Sequence, residues 1–105
     1  MRRCEVWIIS PKRIRDAIAE HGEWKASLLA WRKIAKKADW RHFPDVKRSW
    51  KLSDKVGSCV VFDIANNRCR LVVRIFYEVH RVYILHIISH AESGRDWWKH
   101  DCDCS

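Results

Sequence analysis

Residues 58–92 read SCVVFDIANNRCRLVVRIFYEVHRVYILHIISHAE, and this stretch decides the fold. Its apolar runs, residues 60–65, 69–77 and 82–89, are rich in β-branched and aromatic side chains and contain no proline. That is the composition of strands. Asn66-Asn67 separates the first two runs, and asparagine tolerates the positive φ that a two-residue hairpin turn demands. Glu78-Val79-His80 supplies the second loop. The spacing predicts an antiparallel meander in which Asp63 faces Arg70, Phe62 faces Leu71 and Val60 faces Val73. Across the second hairpin, Val73 faces Leu85 and Leu71 faces Ile87. Alternation along each strand puts Phe62, Ile64, Leu71, Val73, Ile75, Leu85 and Ile87 on the core side. The opposite face carries Asp63, Arg70, Arg74, His86 and His90 among Val61, Val72, Ile84 and Ile88. Guanidinium and imidazole groups among apolar side chains mark that face as a candidate site.

Upstream, residues 5–10 read as a strand, with Val6, Trp7, Ile8 and Ile9 apolar on both sides and so buried in the sheet. Ser10-Pro11 pairs an N-cap with a proline at the first helical position. The helix it opens runs to about Glu20, turning Ile14, Ala17 and Ile18 to the sheet, with Gly22 as its stop. A second helix over residues 23–38 carries Trp24, Leu28, Trp31 and Ala35 on one stripe, with Ala30 and Ile34 beside it. Its basic end, Arg32, Lys33, Lys36 and Lys37, complements the helix dipole. Residues 39–55 are the least regular part, with Pro44-Asp45 opening a short helix. There Trp40, Phe43 and Trp50 alternate with Arg41, His42, Lys47, Arg48 and Lys51. Rings between cations suit single-stranded RNA. The competing reading, favoured for at least one of the two tryptophans, is that the rings pin a connection to the core.

With 105 residues, the chain is expected to form one domain, residues 1–105. Its 21 Lys and Arg against 13 Asp and Glu give a net charge of +8. An acidic macromolecular partner follows, nucleic acid first and an acidic protein segment second. Cysteines stand at positions 4, 59, 69, 102 and 104. Their odd number, with no secretory signal and no apolar run long enough for a membrane span, predicts reduced thiols in a cytoplasmic protein. The ending SGRDWWKHDCDCS, residues 93–105, clusters His100, Asp101, Cys102, Asp103 and Cys104. A C-x-C pair alone is a weak metal signature, so a structural or exposed tail is favoured and no metal or other cofactor is assigned.

Gly22, Gly57 and Gly94 are too scattered for a phosphate-cradling loop, and neither H-E-x-x-H nor G-x-S-x-G occurs. RNA, however, carries its own nucleophile. A base removes the 2′-OH proton, an acid protonates the leaving 5′-oxygen, and cations stabilise the charge that develops on phosphorus. The register brings Arg70, His90 and Glu92 close together, with Arg68 and Arg74 nearby. Asp63 opposite Arg70 reads as a cross-strand ion pair worth well under ~1 kcal/mol if exposed.

The segments LLAWRKIAKKADWRHFPDVKRSW, VVFDIANNRCRLVVRI and VYILHIISHAE occur in the order found in HigB toxins. The chain therefore resembles the HigB family of bacterial type II toxins, within the RelE-like messenger RNA interferases. The likeness covers nearly all of it, and RDWWKHDCDC is similar to a tail of one subset. The resemblance implies an α+β fold, with two N-terminal helices packed on a small, mainly antiparallel sheet of about four strands and a short C-terminal helix. It also implies cleavage of translated mRNA on the ribosome and a helix-turn-helix, HigA-like antitoxin as partner. By position, Asn67 is the family's hairpin asparagine, and Arg70, His90 and Glu92 are its catalytic residues. Lys36, Lys37, Arg41, Lys47, Arg48, Lys51, Arg68 and Arg74 are the candidate RNA-binding cations. Ser93-Gly94 replaces the family's Tyr-Asp, and Trp97 is the nearby aromatic that can substitute for the tyrosine. Two alternatives remain: an RNA- or ribosome-binding protein that does not cleave, and a basic protein-interaction module.

Overall fold

A computed structural model of the chain describes residues 7–9 and 11–102. Five strands form one sheet in the order β1-β5-β4-β3-β2. They are β1 (Trp7–Ile9), β2 (Ser53–Val56), β3 (Cys59–Ile64), β4 (Cys69–Phe76) and β5 (Arg81–Ser89). β2 to β5 form an antiparallel meander, while β1 adds a parallel edge beside β5. The sheet thus has one strand more than expected. β2 reads SDKV, and charged side chains of this kind are common on sheet edges, where they discourage pairing with other chains. Its two-residue link to β3 uses Gly57 at φ 58°, a conformation glycine adopts without steric cost.

Asp63 pairs with Arg70, Phe62 with Leu71 and Val60 with Val73, the register expected from the Asn66-Asn67 turn. Ala65, Asn66 and Asn67 all take positive φ, so the turn twists in the sense that strands require. The second hairpin departs from expectation. Leu71 pairs with Ile87 and Val72 with His86, but Val73 pairs with Ile84 and not with Leu85. The extra residue is a β-bulge, which reverses the alternation of β5 beyond it. Val82 and Ile84 therefore enter the core, while Leu85 joins the opposite face.

The helices α1 (Pro11–Glu20) and α2 (Lys25–Lys37) cover the core side of the sheet. Ile14 and Ala17 of α1 are buried, as are Leu28, Trp31 and Ala35 of α2. Ala30 and Ile34 face away, being exposed. α1 ends at Glu20 as expected, with His21 outside the helix, and Gly22 then opens a 3₁₀ turn, Gly22–Trp24, that leads into α2. Ser10, the expected cap of α1, lies outside the described residues, as do Glu5 and Val6.

A short helix, α3 (Phe43–Ser49), carries proline in its first turn as expected. Asp45 anchors its start: Oδ2 accepts from the Arg41 backbone N–H at 3.0 Å, and Arg48 pairs with Oδ1. The Arg41 N–H, aided by the His42 and Arg48 charges, holds the Asp45 carboxyl below its usual range.

Candidate active site

The sheet face away from α1 and α2 is covered in its middle by a terminal 3₁₀ segment, Trp97–Cys102. Trp98 and Cys102 pack on Cys59, Val61 and Val72 as a second, smaller core. Cys59 and Cys102 form a disulfide with a Cα separation of 5.1 Å. The expectation of reduced thiols is therefore corrected: an odd count leaves one thiol over but does not show which sulfurs the fold brings together. Among the described residues the remaining thiol is Cys69, which is buried. Burial pushes that thiol up to about 12. Cys4 and Cys104 lie outside the described residues.

Arg70 and His90 come together at the uncovered end of this face. Arg70 Nε lies 3.0 Å from Asp63 Oδ1, but the N–H makes no aligned hydrogen bond. Arg70 Nη2 lies 3.4 Å from His90 Nε2. His90 does not end β5 but begins the next element, α4 (His90–Ser93). Two contacts fix that junction. Ser89 Oγ caps the helix by accepting from Glu92 N–H at 3.1 Å, and His90 N–H donates to Arg68 O at 3.0 Å. The His90 side chain is exposed, so it is available to a ligand.

Glu92 belongs to the same turn, but its carboxylate makes other contacts. Trp97 Nε1 donates to Glu92 Oε2 at 3.0 Å, and Arg95 Nη1 lies 3.6 Å from Oε1. Among the described residues no hydrogen bond joins Glu92 to His90. Trp97 also meets the ring of His86 edge-on, with centroids 4.8 Å apart. The aromatic singled out in the tail thus stands next to Glu92. Ser93 does not face the site: it is buried, and its hydroxyl donates to His90 O.

His86 and Arg74 hold the terminal segment. His86 Nε2 is 2.7 Å from Asp101 Oδ2. Arg74 Nη2 donates to Ser58 Oγ at 2.9 Å and to Asp101 O at 2.6 Å. Sequence reasoning missed these contacts. The Cys102 position was the available signal, but the tail reads only as structural or exposed, and nothing in the C-x-C spacing indicates that Cys102 reaches Cys59. Among the described residues, no group of three or more His, Cys, Asp or Glu side chains is arranged to hold a metal ion.

The basic segment beside the site divides in two. Arg41 pairs with Asp39, Arg48 with Asp45, and Lys47 Nζ donates to Ser53 O at 2.6 Å. Among the described residues, Lys36, Lys37, Lys51 and Arg68 make no side-chain ion pair and are exposed. A groove of about 540 Å³ runs past Arg48 and Lys51 to Asp63, Ala65 and Asn66. It links the basic segment to Asp63, the partner of Arg70. Of the rings between these cations, Trp50 is half-buried and lines this groove, whereas Trp40 does not. Trp40 is buried against Phe62, and Trp50 Nε1 donates to Asp63 O at 3.0 Å. Both tryptophans pin the connection to the sheet.

A sequence model of HigB toxins, the RelE-like toxic component of a toxin-antitoxin system, matches residues 24–93. That is well over half of the 105 residues, and the chain belongs to this family. It is therefore the toxic member of such a pair, and its partner is an antitoxin. No curated protein matches the chain. The terminal segment Trp97–Cys102 lies beyond the matched residues. Among the described residues, no helix is long and apolar enough to cross a membrane.

Proposed function

We propose that the protein is an endoribonuclease that cuts translated mRNA on the ribosome by metal-independent attack of a 2′-OH on the adjacent phosphate. The observation that carries this reading is the Arg70–His90 contact on an exposed end of the sheet. A guanidinium offers paired donors to two phosphate oxygens, so Arg70 stabilises the charge of the transition state. His90 exchanges a proton with the attacking or the leaving oxygen, since its imidazole can both accept and donate one. Glu92 is the second proton-handling group in this scheme. Lys51, Arg68, Lys36 and Lys37 bind the flanking backbone, and a HigA-like helix-turn-helix protein is the neutralising partner.

Expression in bacteria tests the reading. Growth arrest with mRNA fragments ending in 2′,3′-cyclic or 3′-phosphate supports it. Arrest with intact mRNA leaves an RNA- or ribosome-binding protein without cleavage. Absence of arrest leaves a basic interaction module. The exposed imidazole beside an arginine favours cleavage over both.

A further inference from the structure

We propose that Trp97 is a positioning residue for Glu92, and that the Cys59–Cys102 disulfide, by holding the segment that carries Trp97, makes the site respond to thiol reductants. The proposal rests on the reading that Glu92 takes part in RNA cleavage. Trp97 is 44% exposed, so burial does little to fix its ring. Two contacts orient it: Nε1–H donates to Glu92 Oε2 at 3.0 Å, and the ring meets His86 edge-on. The other partner of Glu92, Arg95, is 3.6 Å away with a side chain 75% exposed. An exposed ion pair of that length constrains a carboxylate weakly. The indole N–H is the contact that aims Glu92.

What keeps Trp97 in place lies further along the segment. Trp98 is buried and donates its indole N–H to Ser93 O at 2.8 Å. Asp101 is held by His86 through its carboxylate and by Arg74 through its carbonyl oxygen. Ser58 N–H donates to Cys102 O at 2.7 Å, and the disulfide ties Cys102 to Cys59. Among these anchors the disulfide alone is covalent. A dithiol reductant would supply two electrons and two protons, break the Sγ–Sγ bond to give two thiols, and itself become a disulfide. Both half-cystines are fully buried, so the terminal segment must open before a thiolate reaches them. Once reduced, the segment keeps only hydrogen bonds and packing, and Trp97 loses its fixed approach to Glu92.

The test compares the full chain oxidised and after dithiothreitol. In a nitrogen–proton spectrum, the Trp97 indole resonance is the one missing from Trp97→Phe; it should shift and exchange faster with solvent on reduction. Reduction should lower kcat for RNA cleavage on the order of tenfold while leaving KM little changed, as expected for losing a hydrogen bond to a charged group. Trp97→Phe keeps an aromatic ring, lacks the donor and replaces an exposed residue, so it should fold. It should show the same fall when oxidised, with no further loss on reduction, because both changes act through one contact. Cys102→Ser should behave as the reduced protein does. Full kcat in Trp97→Phe, or an equal loss on reduction in wild type and Trp97→Phe, would overturn the positioning role. An indole resonance unmoved by reduction would overturn the latch. If the oxidised wild type cuts no RNA, the endonuclease reading and the role in cleavage fall together. A shifted resonance would then still support the latch.

Discussion

Arg70 Nη2 lies 3.4 Å from His90 Nε2, a contact between the start of β4 and the first residue of a helical turn. The guanidinium is oriented from its other side by Asp63, whose Oδ1 is 3.0 Å from Nε. The guanidinium is the donor of this pair, so the contact is a hydrogen bond in the His90 tautomer whose Nε2 carries the lone pair. A phosphate entering between the two would meet a donor fork and a proton-transfer group together.

Arg70→Ala and His90→Ala should each reduce cleavage by about 10²–10³, the usual cost of removing one transition-state donor. Asp63→Asn separates the two roles of Arg70. It should leave toxicity largely intact and lower stability by no more than about 1 kcal/mol, since the pair is partly exposed. Growth assays with a thermal melt of each variant check this. Equal loss of toxicity and of melting temperature in Asp63→Asn and Arg70→Ala would make Arg70 structural.

Reduction should also destabilise the fold. The bridged cysteines are 43 residues apart, and the chain-entropy view of such a loop gives up to about 4 kcal/mol. Urea unfolding with and without dithiothreitol should show a lower midpoint in the reduced protein. Coincident curves would mean that the sulfurs do not hold the terminal segment.

Cys69 should resist alkylation in the native protein at pH 8. Its thiol is pushed up to about 12 by burial, so almost no thiolate is present. The linkage has a definite sign. A folded-state value above the ordinary 9.0 gives stability that is complete below that pH and is lost as pH rises from 9.0 towards 12. Iodoacetamide labelling followed by mass spectrometry should find Cys69 unmodified until denaturant is added.

Where local rules suffice, the fold was legible. The Asn66-Asn67 turn determines the register of β3 and β4, and with it the opposition of Asp63 and Arg70. The stripe from Trp24 to Ala35 likewise announces the buried face of α2. The bulge at Leu85 was hidden because a single extra residue leaves no mark in an unbroken apolar run. β2 was hidden because its charged side chains suit an edge that no periodicity reveals. The site was half legible: Arg70 and His90 follow from register, but the Trp97–Glu92 contact does not. That contact depends on Cys102 reaching Cys59 across the sheet, a tertiary event that spacing alone does not encode.

The last prediction divides the cations. Lys51 is exposed on the groove that leads to Asp63, and Arg68 is exposed in the turn next to His90, its carbonyl already fixed by the His90 N–H. Neither side chain has an acidic partner among the described residues, so each can neutralise an RNA phosphate without first giving up an ion pair. Arg41, Lys47 and Arg48 are placed differently, each facing Asp39, Asp54 or Asp45. Reversing Lys51 and Arg68 to glutamate should therefore weaken single-stranded RNA binding and flatten its salt dependence, by about 0.7 in slope for each phosphate no longer neutralised. Reversing Arg41 and Lys47 should change the slope less and act mainly on the connection they brace. Binding of a fluorescent RNA across a salt series decides between them. A slope unchanged by the Lys51 and Arg68 reversals would leave these two as ordinary solvated side chains and move the RNA path elsewhere on the +8 surface.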